Sequence, residues 1–323
     1  MQRSTVMAAL GSVFLSLIFA APVLAQKKGR LPLDQHLAEG PLRVWYRLTG
    51  EDAVDLTDVN QNGVPDQPEN LAIQMGTAFK LFVNVLKFPN PIKSPRYRGV
   101  KYLDFSLRHR TQWDNNNGIA FDELQPGRSI DPRGTKILTV GIATSINPAK
   151  NHTPTHEVFH IIQYGATYFK NRWFTEGTAR WSEHAVAKDG IGEYRYDPSG
   201  PWPQKPGEQQ ALSGMAYEAE FYLWNPIAYL DDKSGDIPRK SIPPELLAAK
   251  YADGTPVLKD LSLNGSAIIR EVLLELGRVD DIAARQLGYN KWTEDNQKST
   301  RNDPYIYQAV MNVVDRRLKK KKK

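Results

Sequence analysis

The run His156-Glu157-Val158-Phe159-His160 sets two imidazoles and a carboxylate at a spacing that can do hydrolytic chemistry. Four residues apart on an α-helix, His156 and His160 lie on one face and can converge on one divalent ion, with zinc the natural choice for imidazole donors. Glu157 projects beside that point, which suits a base acting on water at the metal. With six histidines in 323 residues, H-E-x-x-H arises by chance in about one such chain in a few hundred. The competing reading is a plain amphipathic helix, for which Val158, Phe159, Ile161 and Ile162 supply the apolar face.

Two histidines leave a catalytic zinc one protein ligand short, because such sites take three and keep a fourth position open. The glycine and third histidine of the metzincin pattern are missing, since Gln163 and Ala166 stand in those places. Glu176 is the better candidate. It is expected to open a second helix, with Thr175 as its cap and Gly177 allowing close approach to the first helix. His184 is the weaker alternative, read as an exposed residue at a helix end. Glu183, two turns beyond Glu176, is placed to hydrogen-bond a ligating imidazole and fix its tautomer, although a surface Glu–Arg helix with Arg180 explains it equally. An oxyanion donor is also needed. Tyr217 is the first candidate, with Tyr222 and His184 behind it.

The segment H-E-V-F-H-I-I-Q-Y-G, followed by W-F-T-E-G-T-A, resembles the gluzincin branch of the zincin metallopeptidases. That resemblance implies an α+β zincin-like fold, with His156, His160 and Glu176 as zinc ligands and Glu157 as catalytic base. It also implies peptide or protein substrates and cleavage by metal-activated water. The interval from His160 to Glu176 is shorter than in the best-known gluzincins, so the connection must be tighter. The N-terminal half is similar to a group of secreted bacterial proteins assigned as metallopeptidases, which carry a D-x-N-x-N-G stretch; the resemblance runs over residues 45–230.

That stretch is Asp58-Val59-Asn60-Gln61-Asn62-Gly63-Val64-Pro65-Asp66-Gln67-Pro68-Glu69. Side-chain oxygens of Asp58, Asn60, Asn62, Asp66 and Glu69, with the carbonyl of Val64, fall at the ligand positions of a calcium loop, and Gly63 stands at its sharp turn. A solvated Asx-rich turn is the alternative. Pro65 and Pro68 depart from an ordinary EF-hand and leave Glu69 the least secure ligand. A helix is expected over 68–86, carrying Leu71, Met75, Phe79 and Phe82 inward.

Strands are expected at 42–48, 101–107 and 136–144, with Asp114-Asn115-Asn116-Asn117-Gly118 a turn. The third strand is the candidate edge for an extended substrate. Thr153 is expected to cap the histidine helix, Pro154 to fill its first turn and Gly165 to end it. Residues 194–207 read as a loop over the cleft, 215–224 as an aromatic helix, and 264–287 and 304–318 as amphipathic helices.

Residues 1–25 read as a signal peptide: Arg3, an apolar run over 7–21, and Val23-Leu24-Ala25 before Gln26. The expected organisation is therefore export with cleavage after Ala25, an N-terminal lobe over 26–175 with a small twisted sheet and the active-site helix, a mainly helical lobe over 176–315, and a basic tail over 316–323. Arg3 and the terminal Lys319, Lys320, Lys321, Lys322 and Lys323 account for the whole formal charge of +6, so the body is not basic and nucleic acid is not an expected partner. The lysines read as a solvated tail, with weak attraction to anionic surfaces as the alternative. The rival to a zinc peptidase is a calcium-dependent surface-binding module whose zinc site is structural or vestigial.

Overall fold

The strand Leu42–Tyr46 is buried along its whole length, which places it inside a sheet rather than at a margin. In the computed structural model, which describes residues 31–186, 206–259 and 261–321, it is β2 of a mixed sheet. The others are β1 (Gln35–Glu39), β3 (Val100–Arg108), β4 (Gly118–Ala120), β5 (Gln125–Pro126) and β6 (Lys136–Ala143). Their order is β1-β2-β3-β6-β4, with β5 also paired to β6. β2, β3 and β6 run parallel, as continuous apolar strands covered on their faces do; β1 and β4 are antiparallel margins. The expected edge strand, β6, is thus interior. The margin beside the histidine helix is β4, in a segment read as the end of a turn.

α1 (Asp66–Phe79) and α2 (Thr153–Ala166) pack against each other, and α1 also lies against β2. Leu71, Met75, Ala78 and Phe82 are fully buried, and Phe82 meets Phe159 of α2 edge to face at 5.3 Å. α1 continues through a π-helical turn over Lys80–Val85, so the helix expected over 68–86 begins two residues earlier and changes pitch near its end. α3 (Arg172–Glu183) follows α2 after a short connection and packs on it.

Beyond it come α4 (Pro206–Leu212), a π-helical turn over Glu220–Trp224 leading into α5 (Asn225–Asp231), and α6 (Pro244–Leu247). α7 (Ser266–Leu287), α8 (Glu294–Lys298) and α9 (Asp303–Lys321) complete the described chain. The aromatic helix expected over 215–224 is therefore confined to its second half.

One hydrophobic core runs from Leu42 to Val314. Leu33–Lys323 forms one compact unit, which takes in both expected lobes from residue 33 onward. The boundary expected between 175 and 176 falls inside α3, whose Trp173, Phe174 and Trp181 are buried in that common core. Nor are Arg316 and Arg317 part of a free tail. Arg317 forms a two-pronged pair with Asp231 at 2.6 and 2.8 Å and reaches Glu271, fixing α9 to α5 and α7. The signal-peptide segment and most of 194–207 lie outside the described residues. Among the described residues no helix is long and apolar enough to cross a membrane. The class is α+β, with a small mixed sheet and several helices.

Candidate metal centre and active-site cleft

α2 is fixed at its start by side chains from elsewhere. Thr153 does not cap it: His152 holds the cap position without a side-chain bond, Asn151 Oδ1 accepts from the Thr153 N–H, and Gln74 Oε1 of α1 accepts from the Thr155 N–H and hydroxyl. Gln74 Nε2 in turn donates to the carbonyls of Pro148 and Asn151 and to the Tyr251 hydroxyl. This fully buried amide ties the histidine helix to α1 before any metal is considered. At the other end α2 passes Gly165 and stops at Ala166. There α7 crosses so closely that a Cβ on Gly277 would lie 2.2 Å from the Ala166 carbonyl oxygen.

α3 starts at Arg172 with Asn171 in the cap position, so Glu176 lies one turn inside the helix and Thr175 does not cap it. Gly177 faces away from α2; a Cβ there would stand 2.7 Å from two atoms of the Trp224 ring. The two helices nevertheless bring three donors together. Ligand atoms of His156, His160 and Glu176 all lie within 4.8 Å of one another, and among the described residues no other group of three His, Asp or Glu side chains does.

Glu176 Oε2 is 3.2 Å from His156 Nε2 and 3.5 Å from His160 Nε2. Donors about 2.1 Å from a tetrahedral zinc are about 3.4 Å apart, so these separations fit that ion.

The protons on the rings sharpen the fit. Gln163 Nε2 donates to the Thr175 carbonyl and the Thr178 hydroxyl, which leaves its Oε1 to accept from His160 Nδ1 at 2.7 Å. Glu183 Oε1 accepts from His156 Nδ1 at 2.8 Å. Each neutral ring then carries its proton on Nδ1 and turns a bare Nε2 toward the Glu176 carboxylate. Two lone pairs and an anion facing one point require a cation there. Without a metal the requirement falls on protons: burial disfavours charge on His156, but Glu176 and Glu183 outweigh it and push the ring up to about 10. Burial likewise raises Glu176, and the charges and hydrogen bonds of His160 and His156 more than reverse this, holding it well below the carboxylate range.

Glu157 is buried, its Oε2 has no hydrogen-bond partner, and burial pushes its pKa up against the opposing His160 and His156. Its room comes from β4. A Cβ on Gly118 would meet Glu157 Oε1 and Thr153 Cγ2 at 2.5 Å each. Tyr217 is 43 % exposed, with its ring 5.9 Å from that of His156. Burial of its hydroxyl end and the nearby Glu176 and Glu157 raise the phenol to about 12, so it stays protonated and able to donate. Tyr222 instead packs against the core, and His184 is bound to the buried Glu220 at 2.6 Å. Arg180 pairs with the same Glu220 at 3.2 Å.

His156, Glu157, Glu183, Arg180 and Tyr217 border a cavity of about 420 Å³, which Arg110, Asn115, Asn116, Asn117 and Gly118 also line. His152, at 3.7 Å from Glu183 Oε2, and Tyr164, stacked on His160 at 5.6 Å, complete the surroundings of the two rings. The regular i, i+4 series His152, His156, His160, Tyr164 was the available signal for the outer pair, and Gln163 stands one turn past His160. No pattern in the sequence marked Gly118 or Arg110.

The calcium-type loop closes on itself. Asp58 accepts from the N–H groups of Asn62 and Gly63, Asp66 from that of Val59, and Asn62 Oδ1 from that of Val64. Asn60 Oδ1 accepts from the Asn62 N–H, while the Nδ2 groups of Asn60 and Asn62 both donate to Glu69, at 2.9 and 2.8 Å. Asp66 and Glu69 belong to the first turn of α1, so the loop is tied to the helix that carries Gln74.

Comparison of the chain with protein-family models, characterised proteins and solved structures returns no match.

Proposed function

We propose that this protein is an exported zinc-dependent peptidase of the gluzincin kind. The observation that carries the reading is the meeting of His156, His160 and Glu176 beside a buried carboxylate, Glu157, with a free oxygen. A structural zinc would be enclosed by four protein ligands, whereas the described residues bring three. That weighs against a surface-binding module with a structural metal.

His156, His160 and Glu176 would hold the zinc, which when bound would supply a Lewis acid for a peptide carbonyl and for water, whose pKa such a metal lowers to about 7. Glu157 Oε2 takes a proton from the attacking water as its oxygen bonds to the carbonyl carbon. When the C–N bond breaks, the same oxygen returns the proton to the departing amine. Tyr217 donates a hydrogen bond to the developing oxyanion. β4 is the marginal strand beside Glu157 and pairs only with β6 among the described residues, so an extended peptide can add to its outer side. Calcium in the Asp58 loop would brace the start of α1, and through Gln74 the start of α2. Export rests on the composition of residues 1–25.

Glu157→Gln is the direct test: zinc content by elemental analysis should match the wild type, while hydrolysis of an unfolded protein falls at least about 100-fold. Wild-type protein that holds zinc but hydrolyses nothing would rule out the enzyme.

A further inference from the structure

The peptidase reading leaves the preferred side chain beside the scissile bond open, and the wall of the cavity narrows it. Besides His156, Glu157 and Glu183 of the metal centre, the cavity is lined by Arg110, Asn115, Asn116, Asn117, Asn151 and Arg180, and among the described residues Tyr217 offers the largest apolar body. No aliphatic side chain lines the space among the described residues, so a leucine or phenylalanine of the substrate would bury its surface against polar groups and lose their hydration without compensation. An acidic side chain would meet a cation. Arg180 is committed in part to the buried Glu220 through Nε. Arg110 is not: its one polar side-chain contact among the described residues is Nη2 to the Asn115 carbonyl, at 2.6 Å.

That contact also holds the guanidinium in place. The Asn115 N–H returns to the Arg110 carbonyl at 3.0 Å, and Asp114 and Asn115 take successive left-handed conformations, φ 51° and 62°, to close the turn. A guanidinium has five N–H donors, so the edge not used on Asn115 can receive a carboxylate with two parallel hydrogen bonds. The nearby asparagine amides add donors and acceptors without charge. Arg110 is exposed, and its bond to the Asn115 carbonyl restricts the guanidinium and so reduces the ordering left to be done on binding.

We infer that Arg110, set in this amide-lined wall, selects substrates with an aspartate or glutamate next to the bond that is cut. The inference rests on the peptidase reading. Its test is to map cleavage sites by mass spectrometry in a complex mixture of unfolded peptides, using zinc-loaded wild type, Arg110→Ala and Arg110→Glu. This is followed by kcat/KM for one cleaved peptide carrying Glu, Gln, Leu or Lys at the position mapped. Wild type should favour Glu over Leu and Lys by about tenfold or more. Arg110→Ala should bring that ratio near one, and Arg110→Glu should turn it toward Lys.

A preference for apolar residues, no preference, or an acidic preference untouched by either substitution would overturn the role of Arg110 while leaving the peptidase standing. Absence of cleavage by zinc-loaded wild type would remove both. An equal preference for Glu and Gln over Leu, unchanged in Arg110→Ala, would assign selection to the asparagines and also overturn it.

Discussion

At the residue scale, the centre depends as much on what fixes the imidazoles as on the imidazoles. Gln163 can accept from His160 Nδ1 only because both hydrogens of its amide are spent on Thr175 and Thr178. Gln163→Leu would remove that acceptor and leave the ring free to change tautomer. Zinc affinity, measured by competition with a chromogenic chelator, is expected to fall about 10- to 100-fold, with the fold retained by circular dichroism. An unchanged affinity would mean that ring orientation is fixed by packing against Tyr164 instead. Glu157 was legible as the residue after the first histidine. The room its carboxylate occupies was not, because that depends on the missing side chain of Gly118, far away in the chain.

At the scale of elements, α3 delivers Glu176, and its other face is seated on the Trp224 ring. Trp224 is fully buried and donates to the Trp173 carbonyl at 2.9 Å, so it cannot swing away. Gly177→Ala would drive a methyl group into that ring and is expected to cost about 1–3 kcal/mol in urea unfolding, with weaker zinc binding as α3 shifts. The mutation tests the position of the helix rather than the chemistry of its ligand.

The Asp58 loop acts at this scale too. If it holds calcium with the millimolar to submillimolar affinity of extracellular modules, 10 mM calcium should stabilise the apo protein by about 1–3 kcal/mol. The rise in Tm should vanish in Asp58→Ala. A Tm indifferent to calcium in the wild type would make the loop an Asx-rich turn and nothing more.

For the whole molecule, the sheet face away from the helices is held by a buried charge network. Arg43 bonds Asp104 through Nε at 2.7 Å and grips Asp131 with both terminal nitrogens, while Arg128 reaches the other oxygen of Asp104. The Arg43 hydrogen bonds hold the Asp131 carboxyl below its ordinary value, against the effect of burial. A depressed folded-state pKa stabilises fully above the unfolded value of about 3.9 and is lost as pH falls through the lower folded value. Asp131→Asn should therefore lower stability near neutral pH and flatten the decline below about pH 4, as followed by urea midpoints across that range. A parallel decline in both proteins would show that other carboxylates govern acid unfolding.

The sequence by itself determined the pair of histidines, the neighbouring carboxylate and the apolar strands, because helical and strand periods are local and place nearby residues on known faces. It also offered Glu176 and Glu183 as partners, though not the register that brings them to the rings. Only the tertiary structure decided which strand is marginal, that Gln74 fastens the histidine helix, that the expected lobes share one core, and that Arg110 faces the cleft. Those facts depend on contacts between segments far apart in the chain. No local period records them; they follow from how the whole chain buries its apolar surface and pairs the polar groups buried with it.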